Sequence, residues 1–173
     1  SACGKALGAV PSTTVGYEKL FGWAFQINEE EAFVAALLDG QPEAPKYFAE
    51  MKKVNKIGPN VLNGGPHPSM LPCSRLPELT ASDAIVVDTR SAEQFAAGYV
   101  RGTINIPQEM LAGWAGWLLD YDKPFYLIVD PADLDDAIHS LIYIGLDSIA
   151  GYFERSAVAM LEQNGLALDS YDM

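Results

Sequence analysis

The chain has 173 residues, of which 49% are hydrophobic and 20% charged, so it can bury a real core and is not disordered throughout. The 11 basic residues against 23 acidic ones leave a net charge of -12, the wrong sign for a nucleic-acid binder or for docking on an anionic membrane. Two cysteines, Cys3 and Cys73, make neither a disulfide framework nor a Cys-x-x-Cys site, and no apolar run is long enough for a transmembrane helix.

The first residue is Ser1, and no basic or apolar leader pattern follows it. The chain reads as one domain plus an appendage, cut from something longer. Sparse cysteine and the lack of a secretory start make a cytoplasmic location the expectation.

Residues 12–57 carry helical periodicity. Ser12, Thr13 and Thr14 offer caps before Tyr17, Leu20, Phe21, Ala24 and Phe25. Asn28 and Glu31 resemble a capping box ahead of Phe33, Val34, Leu37 and Leu38, and Gly40 stops that run. Pro45 can open a third helix through Tyr47, Phe48, Met51 and Val54, closed by Gly58-Pro59. Three short helices hold few layers of core and are expected to pack on something else. Residues 58–80 are rich in Pro, Gly, Asn and Ser and read as a linker.

From residue 83 the pattern changes. Ala84-Ile85-Val86-Val87 and Phe125-Tyr126-Leu127-Ile128-Val129 are short continuous apolar runs, as in strands buried on both faces. Thr103 to Ile106 and Ser148 to Ala150 are further strand candidates. Helices are expected around Phe95, over 110–119, over 131–144 and over 155–163. Strands alternating with helices predict an α/β fold with a parallel sheet flanked by helices.

The stretch Asp88-Thr89-Arg90, Glu93-Gln94-Phe95 and Gly98-Tyr99-Val100-Arg101-Gly102-Thr103-Ile104-Asn105-Ile106-Pro107 resembles the rhodanese-like family in order and spacing, over roughly residues 75–168. Tyr99 stands where that family usually has His. A second resemblance covers the start. Ser1-Ala2-Cys3-Gly4-Lys5, Ser12 to Glu18, and Pro45-Lys46-Tyr47-Phe48 with Met51, Asn55, Gly58 and Pro59 are similar to the tail of a metallo-β-lactamase-fold domain of the persulfide dioxygenase-like type, fused to rhodanese domains. The implied organisation is a helical tail over 1–58, a linker over 59–80 and a rhodanese-like domain over 81–173. The resemblance further implies an upstream metal, iron or zinc, and no cofactor in this segment. The implied partners are an upstream metallo-β-lactamase domain, a downstream rhodanese domain and a second copy of the chain.

An active rhodanese places a Cys directly after its central strand, where loop amides and a helix dipole stabilise the thiolate and the anion it attacks. Here Asp130 follows that strand, in Asp130-Pro131-Ala132-Asp133-Leu134-Asp135-Asp136. A carboxylate cannot form a persulfide, and Asp130, Asp133, Asp135 and Asp136 repel thiosulfate. With Pro131 at the first helical position, the loop reads as degenerate and its acids as helix caps. The run lacks the alternating oxygen ligands of a calcium loop. No residue is expected to be catalytic and none to bind metal.

Other reactive groups carry plainer readings. Cys73, near Arg75, is a candidate reactive thiol and the alternative sulfur carrier. His139 reads as a partly buried helix residue, and Trp114, Trp117 and Tyr121 as core or a partner surface. No Gly-x-Ser-x-Gly elbow or phosphate loop occurs. The reading is a non-catalytic, domain-linking module of sulfane-sulfur metabolism. The alternatives are a Cys73 sulfurtransferase and a self-associating interaction domain.

Overall fold

A computed structural model describes residues 12–172 apart from Pro42 and Asp83. Expectations placed on Ser1 to Lys5, Cys3 among them, lie outside the described residues. The chain divides into two compact units, 1–44 and 45–173.

The described part of the first unit holds α1 (Val15–Phe21), a 3₁₀ turn over Trp23–Gln26, and α2 (Glu30–Leu38). Thr14 caps α1, its hydroxyl accepting the Tyr17 amide at 3.2 Å. The capping box expected at Asn28 and Glu31 does not form: Glu29 occupies the cap position and makes no side-chain cap bond. None of these helices buries a residue, and Val15, Leu20, Phe21 and Leu38 are each more than 60% exposed.

The second unit holds a parallel sheet of β1 (Ile85–Asp88), β2 (Thr103–Asn105), β3 (Phe125–Ile128) and β4 (Ile149–Phe153), in the order β2-β1-β3-β4. Successive side chains point to opposite faces, and the core divides accordingly. Val87, Phe125, Leu127 and Val129 face one side, where α6 (Leu111–Leu118) and α7 (Leu134–Ile142) bring Leu111, Ala115, Ala137 and Leu141. Val86, Ile128 and Phe153 face the other, where α4 (Arg75–Ala81) and α8 (Ser156–Gln163) bring Leu76, Leu79, Val158 and Leu161. The expected α/β architecture is present, a parallel sheet flanked by helices.

The remaining helices are α3 (Lys46–Ile57) and α5 (Ala92–Ala97). Ser91 starts α5 with a reciprocal capping box to Gln94. Gly102 sits at φ +91, a left-handed turn that a side chain strains. Tyr47 of α3 lies so close to α6 that a Cβ on Gly116 would stand 2.6 Å from its ring.

The stretch read as linker is partly built into this unit. Ser69 and Leu71 bond along β4, with Leu71 N–H to Tyr152 O at 2.8 Å and Tyr152 N–H to Ser69 O at 3.1 Å. Residues 75–81 are helix α4, and its Leu76 is fully buried. The prolines that read as a spacer begin and flank that helix instead of keeping it extended, since proline fits a first helical turn.

Candidate functional site

The sheet order reverses between β1 and β3, so their carboxyl ends open onto the crevice where α/β sheets bind ligands. Three loops meet there. At the end of β1, Asp88 is wholly buried and Arg90 nearly so. The Arg90 guanidinium donates to both Asp88 carboxylate oxygens, through Nε at 3.0 Å and Nη2 at 2.6 Å. The Arg90 backbone N–H adds a bond to Asp88 Oδ1 at 3.0 Å. A second Nη2 bond goes to Gly98 O at 3.0 Å. This bidentate pair is closed by its own neighbours, Gly98 among them.

The end of β2 is tied to the same place. Asn105 Nδ2 donates to the backbone oxygens of Asp88 and Arg90, both at 2.9 Å. The Gln108 amide donates to Thr89 O at 3.2 Å, and the Thr89 hydroxyl donates to Ile128 O at 2.9 Å. The three strand ends form one hydrogen-bonded frame.

The third loop follows β3. Asp130 turns its carboxylate onto its own backbone, Oδ1 accepting the Ala132 N–H at 3.0 Å. Its carbonyl accepts the Asp133 N–H at 2.9 Å. Pro131 has no N–H to give. Two of the loop amides, those of Ala132 and Asp133, are thus engaged by Asp130 itself. Asp133 Oδ2 pairs with Arg155 Nη2 at 3.0 Å, and Gln108 Nε2 donates to Asp133 O at 3.3 Å. The loop is braced from both neighbours.

Several expected positions are refined. Helix α7 begins at Leu134, not Pro131, so Pro131 lies in a turn ahead of it and Asp133 holds the cap position without a side-chain cap bond. Asp135 and Asp136 do fall in the first turn, where the helix dipole favours carboxylates. His139 is exposed rather than partly buried. Trp114 and Trp117 are 50% and 37% exposed, whereas Tyr121 packs on the core and donates its hydroxyl to Ile144 O at 2.7 Å. Both tryptophans are more exposed than Leu111 and Ala115 of the same helix, which enter the core.

Cys73 is partly buried in a separate cavity of about 210 Å³, lined by Met70, Leu71, Glu154, Ser156 and Met160. None of the loop residues 130–136 lines that cavity. Gln108 and Arg155, which brace the loop, went unnoticed in the sequence. The one signal for Gln108 is its place directly after Pro107. Among the described residues no group of three or more His, Cys, Asp or Glu is placed to hold a metal ion. No helix of the described residues is long and apolar enough to cross a membrane.

No family model and no curated relative matches the chain. Solved structures do. A metallo-β-lactamase from Staphylococcus aureus subsp. aureus COL is 40% identical over 88% of this chain, with a TM-score of 0.61. This chain spans only 41% of that one. Rhodanese-like proteins are also among the matches. A rhodanese-related protein from Thermoplasma volcanium is 22% identical over 60% of this chain and 98% of its own, with a TM-score of 0.46. A thiosulfate sulfurtransferase from Pseudomonas aeruginosa is 15% identical over 74% of this chain and 23% of its own, with a TM-score of 0.47.

Proposed function

We propose that this chain is a non-catalytic rhodanese-like module of a longer metallo-β-lactamase/rhodanese protein, with an architectural, domain-linking role in sulfane-sulfur metabolism. The observation that carries the reading is the loop after β3. Asp130 replaces the thiol by a carboxylate and spends the Ala132 amide on that carboxylate. A loop that must attack a sulfur atom lacks its thiolate nucleophile here, and one of its amides is already taken.

The longer-chain part of the reading is supported by the extent of the similarity. Identity of 40% runs over most of this chain but less than half of the Staphylococcus aureus chain. In this proposal the helices of residues 12–57 are the tail of the metal-bearing domain, which explains why α1 and α2 bury nothing by themselves. That upstream domain, with iron or zinc, would oxidise or hydrolyse a low-molecular-weight persulfide, and the described residues here supply it no ligand set.

The test is a thiosulfate:cyanide sulfurtransferase assay on this chain. The expected outcome is no turnover above the protein-free rate. Turnover that survives the Asp130→Ala change and vanishes in Cys73→Ser would replace this reading by the Cys73 one.

A further inference from the structure

The chain contains two Asn-Gly pairs, Asn63-Gly64 and Asn164-Gly165. An asparagine before glycine is open to attack by its own backbone, because no Cβ shields the following amide nitrogen. The other asparagines, Asn28, Asn55, Asn60 and Asn105, precede Glu29, Lys56, Val61 and Ile106, whose side chains crowd that nitrogen. By sequence the two pairs are equivalent, and both are exposed. The fold makes them unequal.

Asn164-Gly165 closes helix α8. The Asn164 N–H donates to Met160 O at 3.0 Å, the Gly165 N–H to Glu162 O at 2.9 Å and the Leu166 N–H to Leu161 O at 3.0 Å. Leu161 is buried in one core cluster and Leu166 packs against it, so the cap is fastened to the core. Asn63-Gly64 instead fills a turn from Leu62 to Gly65, with both central residues at positive φ, +47 and +107. One hydrogen bond closes that turn, from the Gly65 N–H to Leu62 O at 3.0 Å. Among the described residues neither the Gly64 N–H nor the Asn63 side-chain amide has a hydrogen-bond partner. Neither core cluster includes residues 62–65.

We propose that Asn63 is a site of spontaneous deamidation and that Asn164 is protected from it. The Gly64 nitrogen attacks Asn63 Cγ. The N–Cγ bond forms, the Cγ–Nδ2 bond breaks, and Nδ2 leaves as ammonia with the proton of the Gly64 amide. Water then opens the cyclic imide. Opening at Cγ leaves aspartate; opening at the backbone carbonyl leaves isoaspartate, with the main chain rerouted through the side chain. No electron is transferred: one amide and one water become a carboxylate and an ammonium ion. The added negative charge falls in the segment that leads to the β4 contacts of Ser69 and Leu71. The inference concerns this chain alone and does not depend on the longer-chain reading.

The experiment incubates the whole chain in warm, mildly alkaline buffer, with and without urea, and maps both asparagines over time by peptide mass spectrometry. Carboxyl methylation by an isoaspartyl methyltransferase, with labelled S-adenosylmethionine as the probe, is the second readout. In native buffer, amide loss is expected to be about tenfold or more faster at Asn63 than at Asn164, since one hydrogen bond holds the first site and three hold the second. In urea the two rates should converge, because the two pairs share one sequence. Asn63→Asp should abolish the fast phase of ammonia release and leave the slow one unchanged. Equal rates at the two sites in native buffer, faster loss at Asn164, or a rate at Asn63 that urea raises as much as the rate at Asn164 would each overturn the proposal.

Discussion

Asp88 and Arg90 show what the end of β1 does here: it holds the loops, and it does so with a buried ion pair. Removing one partner leaves the other charged and enclosed, which costs about 3–5 kcal/mol in comparable pairs. Arg90→Ala should therefore lower the unfolding free energy by about that amount in chemical denaturation. A loss below about 1 kcal/mol would mean that the pair is solvated, contrary to its geometry. Tyr121 gives a second residue-scale test. Burial, then the Glu50 carboxylate and Tyr47, push its phenol up to about 12 from an ordinary value of 10.0. The folded state holds this proton more tightly than the unfolded one, so the contribution is complete below pH 10 and lost as pH rises through about 12. Of the 8 tyrosines, at least this one should titrate late by ultraviolet absorbance and join the rest after unfolding. An ordinary titration in the folded chain would contradict its packing.

The sequence shows that the loop after β3 carries a carboxylate at Asp130, and the proposed loss of sulfur chemistry rests on that residue type. The partners of that acid were not legible there. The expectation put Asp130 on the start of the helix, whereas it bonds the Ala132 amide within a turn and the helix starts at Leu134. Gln108 and Arg155 come from other strand ends, and only the sheet order brings them to the loop.

Among elements, the strands were the most legible, since continuous apolar runs such as Phe125 to Val129 have few other uses. Helix α4 was missed because Pro72 and Pro77 resemble spacer residues locally, while its reason to form is tertiary: Leu76 and Leu79 complete one core face. The exposure of Trp114 and Trp117 was equally hidden, because spacing gives the face of a helix but not which face is covered. The contact of α3 with α6 makes an opposed pair of predictions. Gly116→Ala drives a methyl to 2.6 Å from Tyr47 and should destabilise by about 1–3 kcal/mol. Gly113→Ala on the same helix meets nothing within 4 Å and should stabilise by up to about 1 kcal/mol through helix propensity. Thermal unfolding of both variants reads the signs. The same sign in both would show that Tyr47 does not pack there.

At the scale of the whole molecule, both core clusters lie between Leu76 and Leu161, inside the second unit. Residues 45–173 should therefore fold without the first unit, giving a single cooperative transition by circular dichroism; a featureless melt would contradict it. The helices of residues 15–38 are the opposite case. Helices of 7 and 9 residues with no buried side chain are marginal in water, which fits their proposed role as part of a larger domain. The central claim is that the rhodanese-like frame is kept without its sulfur chemistry. Intact-mass measurement after incubation with thiosulfate tests it most directly, with the Cys73→Ser protein alongside. An unchanged mass in both proteins is the predicted result. A gain of one sulfur atom in the native chain, lost in Cys73→Ser, would contradict the claim and move the chemistry to the cavity beside β4.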